Sequence, residues 1–268
     1  SSQEPCIRAD GSAGSSSSLT SNVVAGALTI NVDSSGAGNG IVAGDRLLLG
    51  SHDAFHGLAY GAGANGTPPG EIVMVSSVAA SSGGHNVVTL QLPVQGNYVA
   101  ANAGIVQRLT MTVGCGLENL TIRRAQADGT FGATYVLGER VRIANVRMLR
   151  ASYAMLTLDS CIDSEVTGCD FSDCYYAAGG VSYGNSISNA SARIKIHHNH
   201  YWRCRHATAI TNSGAYGNPR YIEITDNHIE KPFINDSSYY AATCVDAHFP
   251  TEFITYANNT IISNGQSG

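Results

Sequence analysis

The chain has 268 residues, of which 43% are hydrophobic and only 13% charged, with 30 glycines and a formal net charge of −5. The charged fraction is about half the ~25% of an average domain; with abundant Gly, Asn and Ser this argues against helical bundles and for short strands joined by tight turns. The acidic balance excludes a global basic field that would draw the chain to nucleic acid, and no apolar run approaches the ~20 residues needed to span a bilayer.

Residues 1–20 are polar and end in SAGSSSSLTS, which reads as a flexible arm or linker with little core of its own. With no initiator Met and no signal-like segment, a processed or trimmed piece is expected. Residues 21–115 read as a β-rich lead-in and first turns, with short strands in VVAGALTINV, DRLLLG, EIVMVSSV, NVVTLQLPV and GIVQRLTMTV. Alternation in ALTINV and VVTLQL is the period-two signature of half-buried strands. Residues 52–70 form a long Gly/Asn/Pro loop, a length usually reserved for function or for contact with a partner.

From 116 to 268 a loose repeat takes over: GLENLTIRR, RVRIANVRML, SEVTGCDFSDC, RIKIHHNHYWRC, RYIEITDNHIEKP and EFITYANNTIISN. Four segments share a template of apolar, two variable, usually Asn, one variable, apolar. These are Val166-Cys169-Phe171, Ile196-Asn199-Tyr201, Ile224-Asn227-Ile229 and Tyr256-Asn259-Ile261, and their central positions are 30, 28 and 32 apart. Asn119 and Asn145, 26 apart, carry a variant of the same form. A period of this size means a stacked array. The segments alternate with period two and are rich in Ile, Val, Thr and Tyr, which excludes helical repeats. No unit can bury its own apolar face, so neighbours must stack, and Asn at the bend can hydrogen-bond from turn to turn. A β-sandwich with Asn-rich turns is the competing architecture; its turn spacing is shorter and less regular.

Seven cysteines, an odd number without CxxC spacing, read mostly as reduced, buried ladder positions and not as a disulfide framework or zinc site. Ten of the thirteen Tyr lie at or after residue 153, with the single Trp, and six of the nine His lie between 197 and 248. Exposed aromatics offer flat platforms for sugar rings; the candidates for substrate binding are Tyr175, Tyr176, Tyr183, Trp202, Tyr216, Tyr239 and Tyr240, with Arg205, which alternation points opposite to His206 unless the strand has already bent there. Each has a competing role in the core or in contacts between chains.

The strongest catalytic constellation is His206, Asp246 and His248. Asp246 and His248 are two apart on a strand and so share a face. Aligning Asn199 with Asn227 puts His206 one turn below them if 231–242 loop out. A carboxylate between imidazoles fixes a tautomer and tunes basicity; a structural hydrogen-bond cluster is the alternative. Glycoside hydrolysis needs two carboxylates, about 5–5.5 Å apart for retention or 6.5–9.5 Å for inversion, and Asp159 on an earlier turn is the expected partner of Asp246. A lyase needs instead a cation to neutralise a uronate and a base to take its proton. Arg123, Arg124, Arg140, Arg142, Arg147 and Arg150 form a local basic zone, read first as a solvated face paired with acids on neighbouring turns. The HHNH run at 197–200 has the composition of a metal site, but alternation separates its members, and a ladder role is expected. No metal site is assigned; no cofactor is required, and calcium is expected only with lyase chemistry.

Two stretches carry a family resemblance. GDRLLLG (44–50), GEIVMVSSV (70–78) and VVTLQLPVQGNY (87–98) resemble the lead-in that phage spikes place before their regular turns. RHATAI (205–210), IEITDNHI (222–229), CVDAHF (244–249) and ITYANNTI (254–261) are similar to the last turns of several such spikes. The resemblance is to the pectate-lyase-like superfamily, closest to bacteriophage tailspike and tail-appendage depolymerases. It implies an all-β, right-handed parallel β-helix preceded by a small β-rich region, a polysaccharide as partner, a homotrimer, other virion proteins as further partners, and a place on the virion tail. Neither nucleic acid nor membrane insertion is implied. Three functions follow: a spike that recognises and depolymerises a bacterial surface or exported polysaccharide, a spike or appendage that binds glycan without cutting it, or a free secreted uronate lyase or epimerase.

Overall fold

A computed structural model describes residues 4–52, 68–80, 83–123, 132–151, 153–174, 181–211, 217–230, 243–248 and 251–262. The repeats coil into a parallel β-helix with three faces. The first face stacks Ile7–Asp10, Ala133–Val136, Ala154–Asp159, Tyr183–Ser188, His206–Thr211 and Thr243–Ala247. The second face includes Ile162–Thr167, Ala192–His197, Arg220–Thr225 and Glu252–Ala257. The third stacks Thr121–Arg123, Arg147–Leu149, Asp170–Ser172, His200–Trp202, His228–Glu230 and Thr260–Ile262. All pairs within these faces are parallel, as a chain that always coils in one direction requires. Among the described residues, no helix is long and apolar enough to cross a membrane.

The template read from the sequence is the register of the stack. Val166, Ile196, Ile224 and Tyr256 lie above one another, as do Phe171, Tyr201, Ile229 and Ile261. All but Tyr256 and Ile261, which are exposed on the last described turn, are buried in the core, and Phe171 and Tyr201 stack with ring centroids 5.1 Å apart at 13°. Cys169, Asn199, Asn227 and Asn259 occupy the bend between the second and third faces. The backbone N–H groups of Cys169, Asn199 and Asn227 each donate to the Oδ1 of the Asn one turn on, all at 2.9 Å. The Asn Nδ2 groups return bonds to the carbonyls of Val166, Ile196 and Ile224 at 2.8–3.0 Å. One amide per turn thereby satisfies groups that a tight buried bend would otherwise orphan.

Asn119 and Asn145 sit one position earlier. They share a left-handed column with Gly168, His198, Asp226 and Asn258, all with φ between 53° and 63°. Asn tolerates that conformation and Gly168 adopts it freely; the variant motif is therefore the neighbouring position of the same bend. A second left-handed column crosses the second face at Arg140, Asp163, Arg193, Tyr221 and Phe253.

The lead-in is an antiparallel sheet in the order Ser12–Ser18, Ile105–Thr110, Arg46–Gly50, Gly70–Ala80, His85–Leu90, Thr29–Asp33. It is an insertion between the first strand of the helix and the rest of its turn. The chain leaves after Asp10 and returns at Thr112, and the Gly11 and Thr112 N–H groups bond to the adjacent carbonyls of Val136 and Leu137 at 2.7 and 2.9 Å. A Cβ at Gly11 would lie 2.3 Å from the Thr110 carbonyl oxygen, so only glycine fits this crossing. The arm expected over 1–20 is corrected in part by this arrangement. Ile7–Asp10 is the first strand of the helix and Ser12–Ser18 an edge strand of the lead-in. Ladder bonds use backbone groups, so an edge strand can be exposed and Ser-rich; composition reports only the side chains.

Leu47, Leu49, Val75, Val88, Val106 and Tyr98 form the lead-in core, and Ile72, Leu109, Ile162 and Ala190 seal it to the helix. Polar links run beside that seam. Arg46 makes a bidentate pair with Glu139, both bonds at 2.7 Å. Arg220 reaches Glu71 at 3.5 Å and Glu252 at 2.5 Å. Glu71 also accepts from the backbone N–H groups of Gln95 and Gly96 and from the Tyr98 hydroxyl, each at 2.9 Å.

Candidate functional site

The first face carries the His/Asp patch at its last two strands. The His206–Thr211 strand pairs with Thr243–Ala247 so that Ala209 lies under Asp246, and Thr211 precedes His248 in the same register. Asp246 and His248 project from the same side of their strand. His248 Nε2 is 2.8 Å from Asp246 Oδ2, and His206 Nε2 is 3.5 Å from the same oxygen. Tyr183, one turn below His206, stacks on its ring with centroids 5.5 Å apart at 25°. Tyr153 meets Tyr183 edge-on at 6.1 Å.

Burial divides the roles. His206 is only 2% exposed, whereas the His248 and Asp246 side chains are 39% and 29% exposed. Arg205 is buried at the bend, with Nη1 3.3 Å from the Val181 carbonyl, and is close enough to Tyr183 to act on its hydroxyl. Burial pushes the Tyr183 phenol up to about 12, with Arg205 opposing that shift and Tyr153 and Asp246 adding to it. Tyr183 is therefore a protonated donor at neutral pH. His248 Nε2 faces Asp246 and His248 is the more exposed of the two imidazoles, which makes it the candidate base of the cluster.

Asp159 does not join it. It occupies the column of Ser188 and Thr211, three strands from the one that carries Asp246. At ~4.8 Å per step the two strands are about 14 Å apart, and Asp159 is offset by two further residues along the strand, so the separation exceeds even the ~9.5 Å limit for inversion. The expected Asp159–Asp246 pair is thus corrected: the two share a face but not a bond's length of substrate. Asp159 instead caps the bend, accepting from Asn189 Nδ2 at 2.6 Å and Ser160 Oγ at 3.0 Å. Burial holds its carboxyl above the ordinary aspartate range despite those bonds.

Trp202 lies on the third face, across the left-handed bend at Arg203, whose guanidinium covers its ring at 5.1 Å. It presents no platform to the His206 patch. Tyr175, Tyr176, Tyr216, Tyr239 and Tyr240 fall outside the described residues, as does Arg124. The basic zone is interleaved with acids. Arg142 bridges Glu118 and Glu165, and Arg147 lies 3.1 Å from Asp170. The HHNH run is split by the bend: His197 reaches Glu165 at 2.9 Å from the second face, His198 takes the left-handed position, and His200 faces outward on the third.

Sequence reasoning missed a cleft of about 420 Å³ between the lead-in and the second face, lined in part by Arg46, Gln95, Asp163, Arg193 and Tyr221. Tyr221 stacks on Phe253 one turn on, 4.8 Å apart at 6°, and donates its hydroxyl to Gln95 at 2.7 Å. No local motif marks these positions, because they meet only when the lead-in docks.

No family model matches the chain, and no curated protein matches it. Solved structures do. The tailspike gp61 of Pseudomonas phage phi297 superposes with a TM-score of 0.67 at 18% identity, over 88% of this chain and 39% of that one. The tailspike Gp54 of Acinetobacter baumannii bacteriophage AP22, solved with A. baumannii capsular saccharide, gives 0.64 at 18% identity over 83% and 35%. The tailspike gp49 of Pseudomonas phage LKA1 gives 0.62 at 20% identity over 94% and 39%. This chain therefore has the parallel β-helix fold found in phage tailspikes, and spans little more than a third of the length of each.

Proposed function

We propose that the chain is part of a phage-type tailspike, carried on the virion tail, that binds and depolymerises a bacterial surface or exported polysaccharide. The fold shared with three tailspikes, one of them solved with a capsular saccharide, supports the class. The observation that carries the chemistry is a solvent-reaching imidazole, His248, held at 2.8 Å by Asp246. Among the described residues the patch supplies one carboxylate, and Asp159, the acid expected to pair with it, lies three strands away, a rise of about 14 Å. That arrangement favours proton abstraction over the two-carboxylate hydrolysis of a glycosidic bond. The substrate it suits is a uronate-containing polymer. His248 takes the proton on the carbon beside the carboxylate, the electron pair forms the new double bond, and the neighbouring C–O bond breaks. Arg205, which acts on the Tyr183 hydroxyl from behind, and Tyr183, a protonated donor, support the patch from its buried side.

The test is one incubation of purified protein with capsular, exopolysaccharide and uronate polymers. New reducing ends and the ultraviolet band of unsaturated uronates are read on the same samples. Both signals are expected. Reducing ends without the band would replace elimination by hydrolysis and direct attention to carboxylate pairs. A spike that binds without cutting is the second reading, favoured by the burial of His206; it predicts neither signal, with retention on a glycan column. A homotrimer is part of the same proposal, checked by light scattering.

A further inference from the structure

The outer side of the third face holds a convergence that the proposed reaction does not use. Among the described residues, ligand atoms of His200, His228 and Glu230 all lie within 4.8 Å of one another. His200 and His228 stack in one column with ring centroids 5.6 Å apart. Glu230 follows His228 by two on the same strand and so shares its side. Its Oε1 lies 2.7 Å from His228 Nε2 and 3.6 Å from His200 Nε2. Two ligands at ~2.0–2.1 Å from a tetrahedral ion stand roughly 3.4 Å apart, so small side-chain shifts close this set around a cation.

The site is also braced. The other nitrogen of His200, Nδ1, faces Asp170 Oδ1 at 3.5 Å. A carboxylate behind a ligating imidazole fixes its tautomer and raises its basicity. Asp170 is itself held by Arg147 and Ser172. Each histidine directly follows a ladder amide, Asn199 or Asn227, and the His228 N–H bonds the Asn199 carbonyl at 2.8 Å. The two rungs that supply the imidazoles are thus locked at a fixed separation before any ion arrives.

The geometry points to a transition-metal site: His200, His228 and Glu230 bind one borderline divalent cation, zinc being the probe of choice, with remaining positions open to water. Two imidazoles select zinc, nickel or copper over calcium, which prefers an all-oxygen shell. The ion joins successive turns, and because it binds only the folded stack it raises the melting temperature. Asp170 acts as a positioning residue.

The experiment is titration calorimetry of the untagged, chelator-treated protein with zinc chloride, with calcium chloride in parallel, and melting curves with each. One zinc per chain is expected, with a higher melting temperature and no matching effect of calcium. His200→Ala and His228→Ala should each weaken binding by at least about tenfold, and Asp170→Asn by about 10–100-fold at unchanged stoichiometry. His198→Ala, which removes the other close imidazole pair, should leave affinity unchanged. Circular dichroism of the metal-free variants checks that each is folded. Absence of stoichiometric uptake, or affinity lost with His198→Ala and kept in His200→Ala and His228→Ala, overturns the assignment.

Discussion

Asp246 Oδ2 faces two imidazoles, one buried and one half-exposed, and under the proposed elimination that asymmetry separates a base from a support. General-base catalysis contributes typically ~10²–10⁴-fold. His248→Ala should therefore lower the cleavage rate by at least about a hundredfold, with the melting curve little changed because the side chain is exposed. Asp246→Asn should lower it as well, by releasing the tautomer. Wild-type rates in both would remove the patch from the mechanism. Asp159 obeys a different logic. Its proton is held more tightly in the folded chain than in the unfolded one. The stability linked to it is fully present below the unfolded pKa and lost as pH rises through the folded value. Asp159→Asn keeps an oxygen to accept from Asn189 and Ser160 while removing the buried charge. The variant should melt higher than the parent at neutral pH, the difference should shrink as pH falls toward 3.8, and polymer cleavage should be unaffected.

One bend repeated from turn to turn governs the stack. Removing the Asn227 side chain would orphan the Asn199 N–H and the Ile196 carbonyl, both buried. At ~1–3 kcal/mol for each unsatisfied group, Asn227→Ala should lose roughly 2–6 kcal/mol, measured by denaturant unfolding. Ile196→Asp is expected to be harsher. Ile196 is 0% exposed and sits in the stacked core of the second face, so a charge there breaks one turn and exposes both neighbours. Insoluble protein is the expected outcome; soluble, cooperatively melting Ile196→Asp would contradict the stacking energetics. The same repeat explains what the sequence signalled clearly. Asn199, Asn227 and Asn259 recur because each turn poses the same hydrogen-bond problem, and a recurring solution is visible without coordinates. The column Arg140, Asp163, Arg193, Tyr221, Phe253 solves another recurring backbone problem with five unrelated residue choices, four residue types in all. It left no pattern to read.

The lead-in and helix meet along an apolar seam flanked by buried ion pairs. Arg220 lies between Glu71 of the lead-in and Glu252 of the last second-face strand, with all three side chains at most 15% exposed. Stripping the cation would leave buried carboxylates facing one another, a loss of about 3–5 kcal/mol by analogy with other broken buried pairs. Arg220→Met should therefore lower the melting temperature and can split one unfolding transition into two, as seen by calorimetry. An unchanged single transition would mean that the apolar contacts of Ile72, Leu109 and Ile162 suffice.

The sequence by itself determined the class of fold, the direction of stacking and the register, because alternation and the Asn period are local properties that survive in one dimension. It also brought Asp246 and His248 together, since two residues apart on a strand is a local relation. Only the tertiary structure decided that His206 is buried under Tyr183, that Asp159 stands three rungs away, that the Ser-rich start is an edge strand, and that His200 and His228 face Glu230. Each of those depends on the number of residues looped out between strands or on backbone pairing with a distant segment. Loop length shifts which rungs become neighbours, and backbone bonds are made by every residue alike, so neither leaves a mark on side-chain pattern.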